Sequence, residues 1–293
     1  METENSRKID FVIAYVDNQD KVWQKTYIEY CQRTNQRVKI ADLHSPRYED
    51  IGLINYQLKL VEKNLPFINR IYLLLSNIEQ APKNLSDKVS IVLHKDFIPY
   101  KYLPTFNSTT IEMFLWNIPN LSEYFIYAND DMIPTKPMKE SDFFEKGKIK
   151  VKFKNEPLKF NNKNEFPYQC INSLGNVCKV LDIPFKDTNE VLRPVHSFTP
   201  MVQSHCREIF NLLEKKITPY IRAFRSIYQH NQYIYPLFEY FKYGTLDSDI
   251  DFLYTEMHKE LDIDFDHQIV CINLIRDKDK IQSIKRKLNE LCE

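Results

Sequence analysis

The residues best suited to do chemistry stand at the end of a short apolar run. Phe125, Ile126, Tyr127 and Ala128 lead into Asn129, Asp130 and Asp131, and Pro134 stops any regular element soon after. Two adjacent carboxylates repel each other unless a cation or hydrogen-bond donors neutralise them. Carboxylate oxygens suit a hard divalent ion, usually one shared with substrate phosphates. Asp130 and Asp131 are therefore candidate ligands for Mg2+ or Mn2+, with Asn129 placed to orient one of them. On the tripeptide alone a plainer reading stays open, because Asn and Asp also form the polar turns that end strands.

Other polar residues sit where chemistry is possible. Asp17 follows the apolar run Ile9–Val16, at the same kind of strand end. Asn107 and Ser108 lie at the mouth of a helix expected after Pro104, where free backbone N–H groups favour an anion. Both are equally good cap residues. His196 stands between Pro194 and Pro200, and Arg225 opens an aromatic-rich stretch. Taken singly, such a histidine or arginine is more often a satisfied structural partner than a catalyst.

The elements that must position these residues read as α/β. Short apolar runs at 9–16, 69–76, 88–94 and 125–128 are strands, and such continuous runs suit a sheet buried on both faces. Between them, 21–35 reads as a helix. Ile51, Ile54, Leu58, Val61 and Leu65 give a second helix one buried stripe, ended by Pro66. Thr109 and Glu112 have capping-box spacing for a helix running to about Pro119. Strands alternating with helices predict a mostly parallel central sheet with flanking helices. Ligands of such sheets collect at the carboxyl ends of the strands.

From 139 the pattern weakens into a basic, proline-punctuated stretch, KGKIKVKFKNEPLKFNNKNEFPYQ, read as a lid or a solvated face. A short helix around Ile171–Leu181 follows, then one beginning near Met201, and 223–245 reads as helical. A last strand, 266–275, brings Asn273 near its end, and a charged amphipathic helix over 277–291 covers it. The expected organisation is an α/β core from 1–138 plus 266–293, with 139–265 inserted as a largely helical lobe. The core sheet is expected to hold about five strands, the last one included.

Composition narrows the function classes. Lys+Arg and Asp+Glu balance at 40 each, so no global field argues for nucleic acid or an anionic membrane. The only glycines are Gly52, Gly147, Gly175 and Gly244, so neither a dinucleotide fingerprint nor a P-loop can be written. A phosphate here must be held by side chains, a metal or helix N-termini. The six cysteines show no zinc spacing and read as reduced thiols of a cytoplasmic protein. No apolar run approaches the ~20 residues needed to span a bilayer. Peripheral attachment at the inner membrane face stays open.

Together these stretches resemble the Stealth family of sugar-phosphate transferases, which includes bacterial capsular polysaccharide phosphotransferases and the catalytic subunit of the lysosomal-enzyme N-acetylglucosamine-1-phosphotransferase. The likeness runs through DFVIAYVDNQD, then RYEDIGLINYQLKLVEKNLPFINRIYLLLSN to LPTFNSTTIEMFLWNIPNLSEYFIYANDDM, then INSLG, RPVHSFTPM and AFRS, and last VCINL. The long second block keeps the family's order and spacing at Arg47, Asp50, Ser108, Glu112 and Asn129–Asp131. The later blocks depart from it, with Gln229 and His230 where an acidic residue is common and Leu274 where Asp is common.

The resemblance implies transfer of hexose-1-phosphate from a nucleotide-diphosphate sugar, a UDP-hexose or UDP-N-acetylhexosamine, to a hydroxyl of a free or lipid-linked glycan. A phosphodiester forms and UMP leaves, in capsule or exopolysaccharide synthesis. It further implies roles for named residues. Arg225 and Arg47 clamp phosphate through the guanidinium fork, Asp130 and Asp131 hold the ion, and Asp50, Asn107, Ser108, Asn129, Asn172 and Asn273 contact substrate. His196, whose reference pKa lies near neutrality, is the candidate base, and Asp17 competes for that role. Three rivals stay open: a metal-dependent glycosyltransferase releasing UDP, a non-catalytic glycan-binding protein and a metal phosphodiesterase.

Overall fold

The computed structural model describes residues 7–161, 164–186, 190–255, 263–273 and 277–293. Asn162 and Lys163 of the basic stretch, and Leu274 and Ile275 of the expected closing strand, lie outside them. Strands β1 (Ile9–Ala14), β2 (Ile68–Leu75), β3 (Val89–Leu93) and β4 (Tyr124–Asn129) form where the apolar runs predict them. A strand at Thr199–Val202 completes a five-stranded, mostly parallel sheet in the order Thr199–Val202, β4, β1, β2, β3.

The two helices expected between the first strands are also present. Helix α1 (Lys21–Arg33) starts where Asp20 accepts from the amides of Val22 and Trp23, and it buries Trp23, Tyr27 and Cys31 at helical spacing. Helix α2 (Ile54–Asn64) buries its predicted stripe of Ile54, Leu58 and Val61, and Pro66 follows.

Two expectations about strands need correction. Met201 belongs to a strand, not to the start of a helix. Thr199 pairs with Tyr127 and Val202 with Tyr124 in antiparallel register, and the helix begins at Gln203. Pro200 is tolerated because this strand lies at the sheet edge. So short an apolar run carries no period that separates strand from helix start. The closing strand, Ile269–Ile272, is not the fifth strand of the main sheet. It pairs antiparallel with β5 (Met132–Pro134) and parallel with Phe252–Thr255 in a separate three-stranded sheet.

Two expected helices are shorter than the pattern suggests. The helix after Pro104 spans only Ser108–Glu112. Its cap is Asn107, and Glu112 does not close a capping box with Thr109, because its carboxylate accepts from the Gln232 amide instead. Arg225 lies in irregular backbone, and regular helix returns only at Ile234–Phe238.

The chain divides into two compact units, and β1 and β4 contribute residues to both. The first comprises Met1–Asp10, Lys95–Tyr127 and Ser141–Asp249. It holds the helices Phe166–Val180 and Gln203–Ile217. The second comprises Phe11–His94, Ala128–Glu140 and Ile250–Glu293. Part of its core is Leu53, Leu60, Ile133, Val270, Ile272, Ile284 and Leu288, which joins α2, the three-stranded sheet and the final helix Lys278–Cys292.

Candidate active site

The sequence-predicted residues fall into two groups, one in each unit. In the second unit, the turn Asn129–Asp131 is fixed from below by α2. Gln57 is fully buried, and its Nε2 donates to the carbonyl oxygens of Asn129 and Met132 at 2.7 Å each. Asn64 Nδ2 donates to the Pro134 carbonyl at 2.8 Å. From the other side, the Ile272 amide donates to the Asp131 carbonyl at 2.7 Å. With these backbone oxygens held, the carboxylates are presented from a rigid turn.

Four carboxylates gather there. Burial pushes the Asp130 carboxyl well above the usual carboxylate range, the charges of Asp131 and Asp50 push it further, and the Val16 backbone bond opposes them. The Asp17 carboxyl is also raised, first by burial, with the Gln19 amide pulling it back and Asp50 and Asp20 adding to the rise. Asp50 is held at both oxygens: Oδ2 accepts from the Tyr15 hydroxyl at 2.9 Å, and Oδ1 accepts from the Gly52 amide at 2.7 Å. Gly52 has φ +85°, a conformation that side chains resist, so the turn that fixes Asp50 needs its glycine.

Two neighbours of this cluster carry no signal in the sequence. Tyr15 is buried, and its hydroxyl is pushed up by burial and by Asp50, with Asp17 and Asp130 adding less. The buried Cys271 thiol is pushed well above its ordinary value by burial and then by Asp131, to which it hydrogen-bonds. Both residues read as ordinary core members of apolar strands. Only the tertiary fold puts them beside carboxylates.

The other predicted residues of this unit are placed less centrally. Arg47 stands exposed on the turn Pro46–Tyr48, where its charge acts on the buried Tyr27 hydroxyl. Asn273 Nδ2 donates to the Tyr254 hydroxyl at 2.6 Å.

In the first unit, the centre is Arg225. Its Nη2 donates to Ser108 Oγ at 2.6 Å. Ser108 in turn hydrogen-bonds Glu112, whose buried carboxyl is raised by desolvation and drawn back by Arg225, the Gln232 amide, Ser108 and Tyr127. Arginine, serine and glutamate thus form a relay that orients the guanidinium. Glu112 stood in the motif as a helix residue. Its role as the buried counter-charge needed the fold.

Asn107 and Asn172 are committed to structure. Asn107 is 1% exposed, its Nδ2 donates to the Arg222 carbonyl and Gln229 Oε1 at 3.1 Å each, and its Oδ1 caps Thr109. Asn172 Nδ2 donates to the carbonyls of Ile227 (2.9 Å) and Gln229 (3.1 Å). Both therefore fix the 222–229 segment that carries Arg225. His196 Nδ1 lies 3.5 Å from the Tyr233 hydroxyl, just ahead of the edge strand.

The acidic group fits a hard divalent cation. Asp131 Oδ1 is buried and has no hydrogen-bond partner, and the Asp130 carboxyl beside it is raised by burial and then by the charges of Asp131 and Asp50. Such a site is electrostatically unfavourable without positive charge, and hard oxygen donors are what Mg2+ or Mn2+ select.

Residues 47–152 match the family model described as Stealth protein CR2, conserved region 2. A capsular polysaccharide phosphotransferase of Actinobacillus pleuropneumoniae is 30% identical over 253 residues, covering 84% of this chain and 69% of the relative. One from Neisseria meningitidis serogroup B is 29% identical over 219 residues (73% and 58%), and one from Haemophilus influenzae is 30% identical over 217 (73% and 59%). The chain spans 58% to 69% of the length of these three relatives.

Proposed function

The chain belongs to the Stealth family, that of the capsular polysaccharide phosphotransferases it resembles along most of its length, and from that premise we propose that it transfers hexose-1-phosphate. The donor is a nucleotide-diphosphate sugar, with UDP-hexose or UDP-N-acetylhexosamine the first to test, and the acceptor is a glycan hydroxyl. The observation that carries this reading is the carboxylate cluster of Asp17, Asp50, Asp130 and Asp131 at the carboxyl ends of β1 and β4.

In this reaction the acceptor oxygen attacks the sugar-bearing phosphorus, and the bond from that phosphorus to the oxygen bridging the two phosphates breaks. UMP leaves with that oxygen, and the acceptor proton passes to a base. Phosphoryl transfer is chiefly positioning and charge stabilisation. Asp130 and Asp131 would hold a divalent ion, supported by Asp50 through Tyr15, and that ion would supply positive charge to phosphate oxygens. Arg225, aimed by Ser108 and Glu112, offers the bidentate fork for a phosphate. Arg47, on its exposed turn, reaches the donor from the surface.

No helix among the described residues is long and apolar enough to cross a membrane. We place the reaction in the cytoplasm, on a free or lipid-linked acceptor.

The released nucleotide tests this reading. With UDP-hexoses, Mg2+ or Mn2+ and short acceptor saccharides, acceptor-dependent UMP is the expected product. UDP would instead mean glycosyl transfer, and UMP without acceptor would mean hydrolysis.

The base is assigned by a second experiment. His196→Ala is expected to lower kcat by about 10²–10⁴-fold, the usual contribution of a general base, with donor affinity nearly unchanged. The wild-type rate should rise with pH as the base loses its proton, and the variant should lose that limb. If His196→Ala weakens donor binding alone, the role passes to Asp17, whose raised carboxyl pKa moves it towards the range useful to a base.

A further inference from the structure

In the first unit, the helix Gln203–Ile217 turns Cys206, Ile209, Phe210, Leu213 and Ile217 into the core. The outward face at its end is less ordinary. Leu212, Lys215 and Lys216 stand at i, i+3 and i+4, so they are neighbours on one side of the helix, and all three are exposed. Leu212 leaves 50% of its surface in solvent. The chain then passes through Tyr220, 39% exposed, to the exposed Arg222. Tyr228, 61% exposed, joins the same surface by stacking on Tyr220 with ring centroids 5.9 Å apart.

The charge of this surface is one-sided. Lys215, Lys216 and Arg222 form no ion pair among the described residues. Glu208, one turn before Leu212, is taken up by Lys242 and by the Tyr243 hydroxyl. Glu214 is one and two residues from the lysines, so it faces away from both. A helix C-terminus favours cations, which is reason enough for the two lysines. It gives no reason for an exposed leucine, for two exposed tyrosines or for an arginine beyond the helix.

The mixture selects among occupants. Protein interfaces deplete lysine at their core. A soluble polyanion gains nothing from Leu212. An anionic bilayer uses all six side chains. Tyrosine rings settle at the level of the headgroups. Lysine and arginine are drawn to the charged leaflet and lay their apolar stems along it. Leucine enters the boundary of the acyl chains.

We propose that this face, Leu212 to Arg222 together with Tyr228, docks the protein on an anionic bilayer. Arg225 lies between Arg222 and Tyr228 in sequence, so the docked face carries the segment of the candidate phosphate clamp. An acceptor anchored in the same bilayer would be offered to that segment. This last step alone rests on the transferase reading.

Cosedimentation of the full chain with lipid vesicles, without nucleotide or metal, tests the docking. One set is phosphatidylcholine, and the other is two parts phosphatidylcholine to one part phosphatidylglycerol. The wild type should prefer the anionic set by about tenfold or more, and high salt should remove the preference. Lys215→Ser/Lys216→Ser/Arg222→Ser should lose about 10²-fold, since each cation near such a leaflet is worth about fivefold. Lys215→Arg/Lys216→Arg should hold binding. Leu212→Ser/Tyr228→Ser should lose about tenfold with every charge in place. No preference for the anionic vesicles, or equal binding by the triple serine variant, overturns the docking. Full binding by Leu212→Ser/Tyr228→Ser overturns the bilayer as occupant and assigns the charges to a soluble polyanion.

A measurement without variants is the NMR spectrum of the wild type on nanodiscs of the anionic mixture, doped with a gadolinium-chelating lipid. Amide signals of 212–228 should broaden first, and earlier broadening elsewhere overturns the proposal. Vesicle binding with no UMP release from any acceptor would keep the docking and sink the transferase reading. UMP release from a soluble acceptor, by a wild type that ignores anionic vesicles, would do the reverse.

Discussion

Asp130→Ala and Asp131→Ala should each abolish metal-dependent turnover, by about 10³-fold or more, because cationic stabilisation of the transferring phosphoryl group is a dominant catalytic term. Neither change should unfold the protein. The Asp130 carboxyl is raised by burial first and by its acidic neighbours second, so its charge opposes the fold when no cation is present. The sign of the pH dependence follows. A group whose folded pKa is raised favours the fold fully below its unfolded value, and that contribution is lost as pH rises through the folded pKa. In chelator, the wild type should therefore lose stability as pH rises from about 4 through that raised value, 4 being near the ordinary aspartate pKa. Asp130→Asn should lose less stability in that window, since only the raised carboxyls of Asp17 and Glu112 still contribute there.

Addition of Mn2+ at neutral pH should raise the wild-type Tm. At 100-fold excess over Kd the gain is about 2.7 kcal/mol, or several degrees for a chain of this size. Asp130→Asn and Asp131→Asn should show little of that rise. Thermal melts in chelator and in Mn2+, run beside the UMP assay, read both effects. Near-normal activity in both alanine variants, or an equal Mn2+ shift in both asparagine variants, would remove the metal assignment.

What the sequence discloses about this cluster depends on range. Asp17, Asp130 and Asp131 are legible because each follows an apolar strand, and the ends of neighbouring strands are neighbours in space. The buried stripe of α2 is legible too, from Ile54, Leu58 and Val61. Its polar members are not. Gln57 and Asn64 read as interruptions of an amphipathic pattern, yet their amides clamp the backbone of Asn129–Pro134. Tyr15 and Cys271 read as core for the same reason. Their period is that of buried strand residues, and no local rule says which buried polar atom faces a carboxylate.

The strand at Thr199–Val202 marks a different limit. Hydrophobic period needs length, and a short run between a proline-rich turn and an amphipathic helix contains no full repeat of either period. The closing strand was legible as a strand, but its sheet was not, since partner choice is set by tertiary packing. Its core against the final helix, through Val270, Ile272, Ile284 and Leu288, draws it to the separate sheet.

Arg225→Ala is expected to lower turnover by about 10²–10³-fold and to cost stability as well, and the two losses have different causes. Activity falls because the phosphate loses its bidentate partner, a change worth several kcal/mol in the transition state. Stability falls because burial raises the Glu112 carboxyl and the Arg225 charge eases its ionisation there. Removing that charge leaves the buried carboxyl less compensated, and the loss is smaller by whatever the carboxyl recovers by taking up a proton. Glu112→Gln in the Arg225→Ala background removes the stranded charge, so the double variant should regain much of the lost Tm while its turnover stays low. Glu112→Gln alone should lower turnover by about 10-fold, since Ser108 still holds the guanidinium but the counter-charge that aims it is gone. Arg225→Lys keeps the charge and loses the fork, and should fall between the wild type and alanine. Turnover by Arg225→Ala within tenfold of wild type would dismiss Arg225 as the clamp and leave the relay as a purely structural motif. Recovery of turnover along with Tm in the double variant would show that the loss came from folding, not from the phosphate contact.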